Sequence, residues 1–262
     1  MCLIVFAWRQ DARLPLVLAA NRDEFFARPA APAGFWPDAP QVLAGRDESA
    51  GGTWLGITRT GRFAALTNVR DPAQMRSGRP SRGALVADYL RGAMSPAEYL
   101  DALAARGAAY NGFNLLVGRL GEAPEMHCYC NVDGSRRELP PGLHGLSNHQ
   151  LDTGWPKVRA AKAALHEAMA DGAPDDALLA LLASEARHAD DDLPQTGVPL
   201  EWERALSAAH IRTPAYGTRC ATLVKWHAAG RLQLDEQTWL PHPVQAERGT
   251  RRRYVLPLLR EA

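Results

Sequence analysis

Alternation and β-branched content mark two short apolar segments at the start of the chain, Leu3 to Trp8 and Leu16 to Ala20. The polar stretch Gln10-Asp11-Ala12-Arg13 separates them, which predicts a hairpin. Trp54 to Thr58 and Phe63 to Asn68, split around Gly61, predict a second hairpin by the same reasoning. The Pro- and Ala-rich stretch from Pro29 to Pro40 between them is long enough to predict a functional loop crossing the surface.

Helical spacing appears next. Leu85, Val86, Tyr89 and Leu90 predict a helix within Ser81 to Gly92, with Ser81 as its cap. Ser95-Pro96-Ala97-Glu98 then has the form of a capping box with Pro in the first turn. Both helices should pack on one face of a sheet. Phe113 to Leu120, Glu125 to Cys130 and Leu143 to Asn148 read as further strands. Pro156 opens a helix reaching about Ala170, where its missing N–H has no helical partner in any case, and Pro174 to Ala186 predicts another. Cys220 to Trp226 and Leu232 to Trp239 form a third hairpin around Gly230, followed by an edge strand at Tyr254 to Leu256.

Strands and helices thus come in groups, which predicts an α+β fold of mostly antiparallel sheet with segregated helices, accommodated by two packed sheets covered by helices. No internal repeat and no linker divides the sequence, so one domain is expected over residues 1–262.

Composition narrows the function. At 46% hydrophobic residues the 262-residue chain can bury a substantial core. Thirty Lys and Arg against 29 Asp and Glu give a formal net charge of +1, so no electrostatic argument favours nucleic acid or an anionic membrane. Arg251-Arg252-Arg253 reads as a solvated strand edge or turn, a phosphate-binding patch being the minor alternative. The apolar start lacks a basic flank and ends at Arg9-Gln10-Asp11, too soon for a signal peptide or a membrane span. A cytoplasmic protein with no integral membrane segment is expected; oligomeric state is not legible.

Four cysteines in such a chain do not predict a disulfide framework. In His127-Cys128-Tyr129-Cys130 the two thiols share one strand face while His127 takes the other, and no second cluster completes a zinc spacing, so the segment reads as structural with no metal. Cys2 is different. It is small enough for an initiator Met to be removed before it, leaving an amine and a thiol on one residue. A free α-amino group titrates at about 7.7 to 8.0, so it can take the thiol's proton near neutrality. The ordinary alternative is a small apolar residue opening a strand. Asn21-Arg22-Asp23-Glu24, at the end of the neighbouring strand, gathers polar groups where sites are commonly built, with a charged turn held by an ion pair as the bland reading. In a regular strand Asn21 and Asp23 face one side and Arg22 the other.

Met1-Cys2-Leu3, Asn21-Arg22-Asp23-Glu24-Phe25-Phe26 and Gly51-Gly52-Thr53-Trp54-Leu55-Gly56 together resemble the NRDE family, the transport and Golgi organisation (TANGO) family. Thr67-Asn68-Val69-Arg70, Leu146-Ser147-Asn148 and Tyr216-Gly217-Thr218-Arg219 extend the resemblance over nearly the whole chain. The family is similar in pattern to N-terminal nucleophile hydrolases of the cysteine branch, penicillin V acylases and bile salt hydrolases. That resemblance implies an αββα sandwich. It also implies Cys2 as nucleophile, Asp23 as the carboxylate orienting its amine, Asn148 as an oxyanion-hole donor and Arg219 as a positive neighbour of the thiol, with Asn68 a weaker match. Those hydrolases carry an Arg three residues before the Asp, where this chain has Ala20; Arg22 lies beside Asp23 instead, and its role is left open between catalysis and structure.

On this basis the expected activity is hydrolysis of a non-peptide C–N amide bond in a small acylated substrate, without cofactor. The expected ligand is a small acyl or lipid-like molecule. Asn21 joins Asn68 on the substrate side, and Phe25, Phe26, Phe35 and Trp36 either line an acyl-binding wall or belong to the core. The alternative implied by the resemblance is a non-catalytic protein that handles lipid, acyl-CoA or haem.

Overall fold

A computed structural model describes residues 2–241 and 247–259. β1 (Cys2–Trp8) and β2 (Leu16–Phe25) form the expected opening hairpin. The next seven strands make an antiparallel meander in chain order: β3 (Ala30–Trp36), β4 (Ala39–Asp47), β5 (Leu55–Thr58), β6 (Arg62–Asn68), β7 (Phe113–Arg119), β8 (Glu125–Cys130) and β9 (Arg136–Glu138). The chain then returns to the first pair. β10 (Gly142–Leu146) flanks β1, and β11 (Tyr216–His227), β12 (Arg231–Leu240) and β13 (Glu247–Pro257) extend the sheet beyond β2, in the order β10-β1-β2-β11-β12-β13.

Helices α1 (Gly83–Arg91) and α2 (Pro96–Ala104) cover the outer face of the seven-stranded sheet, while α3 (Pro156–Ala170) and α4 (Asp175–Ala180) cover that of the six-stranded one. A short α5 (Leu200–Leu206) follows. The layers are therefore αββα, as the resemblance implied. Each sheet is buried on both faces, which is why β1 is an unbroken apolar run rather than a strict alternation. Ile4, Phe6, Leu18 and Ala20 face the other sheet in the central core, whereas Leu3, Val5, Val17 and Ala19 face the helices. No helix among the described residues is long and apolar enough to cross a membrane.

Three local expectations are corrected. The Pro29 to Pro40 stretch is a strand pair and not a surface loop, because sheet-to-sheet hydrogen bonds clamp Ala33. Its N–H donates to Glu236 at 2.6 Å, and its carbonyl accepts from Arg252 at 3.1 Å and Tyr254 at 3.0 Å. Pro32 is tolerated there because β3 is an edge strand whose register is broken between Ala31 and Gly34. Ser81 does not cap α1, which starts at Gly83, where the Gly83 carbonyl accepts the Thr53 N–H at 3.1 Å. Finally, the helix from Pro174 stops at Ala180 and tightens into a 3-10 turn over Leu181–Ala183, because the Asn21 amide captures the Leu182 carbonyl at 2.8 Å.

The Ser95 capping box forms as read from the sequence, Ser95 accepting from Glu98 N–H and Glu98 from Ser95 N–H. Arg251 and Arg253 lie on the edge strand β13, where they pair with Asp235 and Asp175. Cys128 packs into the central core, and His127 bonds Glu125 at 2.9 Å.

Candidate active site

Register alone brings the first group of site residues together. Cys2 lies opposite Arg22, Arg22 opposite Cys220, and Cys220 opposite Thr238, a row across four neighbouring strands. Residues directly opposite share a sheet face. Ile4 and Ala20, two positions along, fix that face as the one between the sheets. Arg22 thus reaches the site without any distortion of its own strand.

The distortion sits on β11. Thr218 pairs with Asp23 and Cys220 with Arg22, so Arg219 is the extra residue of a bulge. Parity with Cys220 would send Thr218 into the space between the sheets; the bulge turns it to the outer face. There its hydroxyl donates to Asp23 Oδ1 at 2.7 Å and accepts the Ile211 N–H at 2.8 Å. Asn21 and Asp23 occupy this outer face, as regular strand alternation requires.

Between the sheets at the Cys2 end lies a cleft of about 550 Å³, within the range of small-molecule sites. Arg22 and Glu24 border it from β2, Trp54 and Asn68 from the other sheet, and Arg82 from the segment entering α1. Cys2 itself is 7% exposed. Burial pushes its thiol pKa above the usual range and Asp23 adds to this, while the amino-terminal charge, Arg22 and the backbone N–H of Asp23 pull the other way. Arg22 is thus one guanidinium whose charge favours the ionised thiol.

Beneath the sheet, charges are buried in a compact group. Burial pushes the Asp23 carboxyl up, against the amino-terminal charge, Lys157, the Thr218 hydroxyl and Arg70. Burial also pushes Lys157 down to about 8, and its Nζ donates to the Leu206 carbonyl at 2.9 Å. Arg70 pairs with Glu203, both almost fully buried, and its guanidinium lies 4.7 Å from the centre of the Trp155 ring. Arg70 ends the Thr67-Asn68-Val69-Arg70 motif, but its partner Glu203 and the burial of Lys157 come from distant segments that no motif joins.

Other predicted residues lie elsewhere. Trp36 is in the core beneath α1 with Arg46 and Arg91 over its ring and is not among the residues lining this cleft. Asn21 is consumed on the outer face, donating to the Leu182 and Ala209 carbonyls. Phe25 is 54% exposed and packs edge-on against Tyr216 outside the cleft. Its backbone, with that of Arg28, is held by Arg219, which borders the cleft and donates to both carbonyls at 3.0 Å. Asn148 is wholly buried; its amide donates to the Asn68 carbonyl at 2.9 Å and accepts from Ser147, whose hydroxyl also reaches the Cys2 carbonyl at 3.0 Å. Of the two asparagines, Asn68 is the one on the cleft wall. Arg82 and Glu236, which the motifs passed over, also line it.

The two antiparallel sheets, the covering helices and their order define an N-terminal nucleophile hydrolase-like fold. A solved structure described as the Caenorhabditis elegans N-acylethanolamine-hydrolyzing acid amidase ortholog is similar at a TM-score of 0.50 and 11% identity, over 85% of this chain and 92% of that one. More particularly, the chain belongs to the Transport and Golgi organisation 2 family, whose pattern matches residues 1–241. The Bos taurus Transport and Golgi organization protein 2 homolog is 39% identical over 261 residues, covering 92% of this chain and 94% of that protein. The Homo sapiens homolog is 34% identical over 264 residues with the same coverage.

Proposed function

We propose that this protein is an amidohydrolase whose nucleophile is Cys2, exposed as the first residue after removal of Met1, which lies outside the described residues. The observation carrying this reading is the position of Cys2 at the cleft end of β1, opposite Arg22 on the neighbouring strand. A buried thiol with a raised pKa is not ionised at rest, so attack needs a base. The α-amine of the same residue supplies one.

The Cys2 sulfur attacks the substrate carbonyl carbon while the thiol proton passes to the α-amine. The resulting oxyanion takes hydrogen bonds from amide donors, for which Asn68 and the second N–H of Asn148 are candidates; such a donor is worth about 3 to 4 kcal/mol in a dry site. The ammonium returns its proton to the leaving nitrogen as the C–N bond breaks, leaving a thioester. Water then adds to the thioester carbonyl, giving up a proton to the amine, and collapse releases the carboxylic acid and restores the thiol. Asp23 holds the charge of the amine through this cycle, as a positioning residue.

The test is intact-protein mass together with turnover of a panel of N-acyl amides. Loss of Met1, hydrolysis by the wild type and loss of hydrolysis in Cys2→Ala with unchanged circular dichroism are expected. Turnover by a form retaining Met1, or by Cys2→Ala, overturns the reading. A small acyl or lipid-like ligand bound equally by both forms, with no turnover, would instead indicate a carrier.

A further inference from the structure

The charges of the cleft do not cancel. Arg28 is held by Asp47 at 3.0 and 2.6 Å. Arg22 and Arg82 enter no ion pair among the described residues; Arg82 donates to the Gly112 carbonyl at 2.9 Å. On the acidic side, Glu236 accepts the Ala33 N–H and shares its charge between Arg252 and Arg22, and Asp23 turns its carboxylate toward Thr218 on the opposite face. Glu24 is left facing the arginines, and it accepts the Phe25 N–H at 2.9 Å. The surplus is positive.

Arg22 and Arg82 come from opposite walls. Arg22 hangs from β2 and acts electrostatically on Cys2; Arg82 precedes α1 over the other sheet, and its own charge is influenced by Glu24 and Cys2. Burial pulls the Arg82 pKa down, the mark of a desolvated guanidinium lacking a full counter-charge. Concave walls of low dielectric strengthen the field of such charges on a bound anion, and guanidinium forks match carboxylate and phosphate oxygens. Trp54, Leu66, Pro32 and Trp239 supply apolar lining for the remainder of a ligand.

We propose that the ligand of this cleft, on the hydrolase reading an acyl amide, carries an oxyanion group of the carboxylate or phosphate class held between Arg22 and Arg82. The chemical class is then an acylated amine bearing an acid, such as an N-acyl amino acid or an N-acyl amino-alcohol phosphate, in preference to a neutral acyl amide.

Calorimetric titration of the Cys2→Ala protein tests this without turnover, using N-lauroylglycine, the phosphate ester of N-lauroylethanolamine and neutral N-lauroylethanolamine. At least one anion should bind about tenfold or more tightly than the neutral amide, and raised ionic strength should shrink the gap. Comparison of the two anions distinguishes carboxylate from phosphate. Arg82→Gln or Arg22→Gln in the same background should remove the advantage, with unchanged circular dichroism showing that the fold survives. Equal affinities, binding of the neutral amide alone, or binding of neither anion overturns the proposal. Turnover by the wild type is read separately: anion preference without hydrolysis would remove the hydrolase reading and leave the anion site standing.

Discussion

The hydroxyl of Thr218 donates to Asp23 Oδ1 and accepts the Ile211 N–H, joining two strands and a loop at one buried atom. Thr218→Val keeps the shape and removes both bonds, leaving the Ile211 N–H without this acceptor. The expected loss is about 1 to 3 kcal/mol per abandoned group, read as a lowered urea midpoint with unchanged slope. Thr218→Ser should recover most of it; equal loss in both variants would assign the effect to packing.

Lys157 gives a pH dependence of definite sign. Its folded pKa of about 8 lies below the ordinary lysine value of 10.5, so between these limits the unfolded chain binds more protons than the folded one. Its contribution therefore makes stability rise with pH across that window. Thiols such as Cys2 and Cys220, with raised values, act in the opposite direction above their ordinary range, so the useful quantity is the difference between wild type and Lys157→Met. The upward component should vanish in the variant; parallel stability curves from pH 7.5 to about 10.5 would refute it.

Arg70 and Glu203 make a buried pair, with Glu203 also accepting from the Thr196 N–H and hydroxyl. Glu203→Ala strands the guanidinium in the interior and should cost about 3 to 5 kcal/mol. The double change Arg70→Met with Glu203→Leu should be less damaging than Glu203→Ala alone, because neither charge is then abandoned. Denaturation of the three proteins under one condition decides this.

Adjacent glycines in the Gly51-Gly52 motif should respond differently. A Cβ on Gly52 would meet the Gly83 carbonyl carbon at 2.4 Å and oxygen at 2.5 Å, backbone that can move only by lifting the start of α1. Gly51 has φ of +74° and open space where a Cβ would stand, so its cost is conformational alone, about 1 to 2 kcal/mol for alanine. Gly52→Ala should be the more destabilising, and hydrogen exchange should show faster opening of α1 in that variant only.

Hydrophobic patterning disclosed the outer shape of the fold because each hairpin and each long helix carries its own local signal. The cleft position of Cys2 was equally legible once strand pairing was granted, since Arg22 and Ala20 count off the faces. What escaped were features decided by distant partners. Nothing local in Pro29 to Pro40 announces that Glu236, Arg252 and Tyr254 will clamp Ala33, and nothing around Trp36 says which side of its sheet the helix α1 will cover. Lys157 and Arg82 belong to the same class, ordinary surface-type residues in sequence that acquire their character from burial by segments far along the chain.

The single extra residue at Arg219 lets one strand serve both faces of the six-stranded sheet, Cys220 toward the space between the sheets and Thr218 toward the buried charges on the other side. On one side is an open vestibule between the sheets; on the other is a group of buried charges beneath the helices. Residues of the vestibule can be exchanged to admit a new guest without rewiring those charges. Removing Arg219 would do the reverse, turning Thr218 through the wall and delivering its hydroxyl to the guest instead of to Asp23.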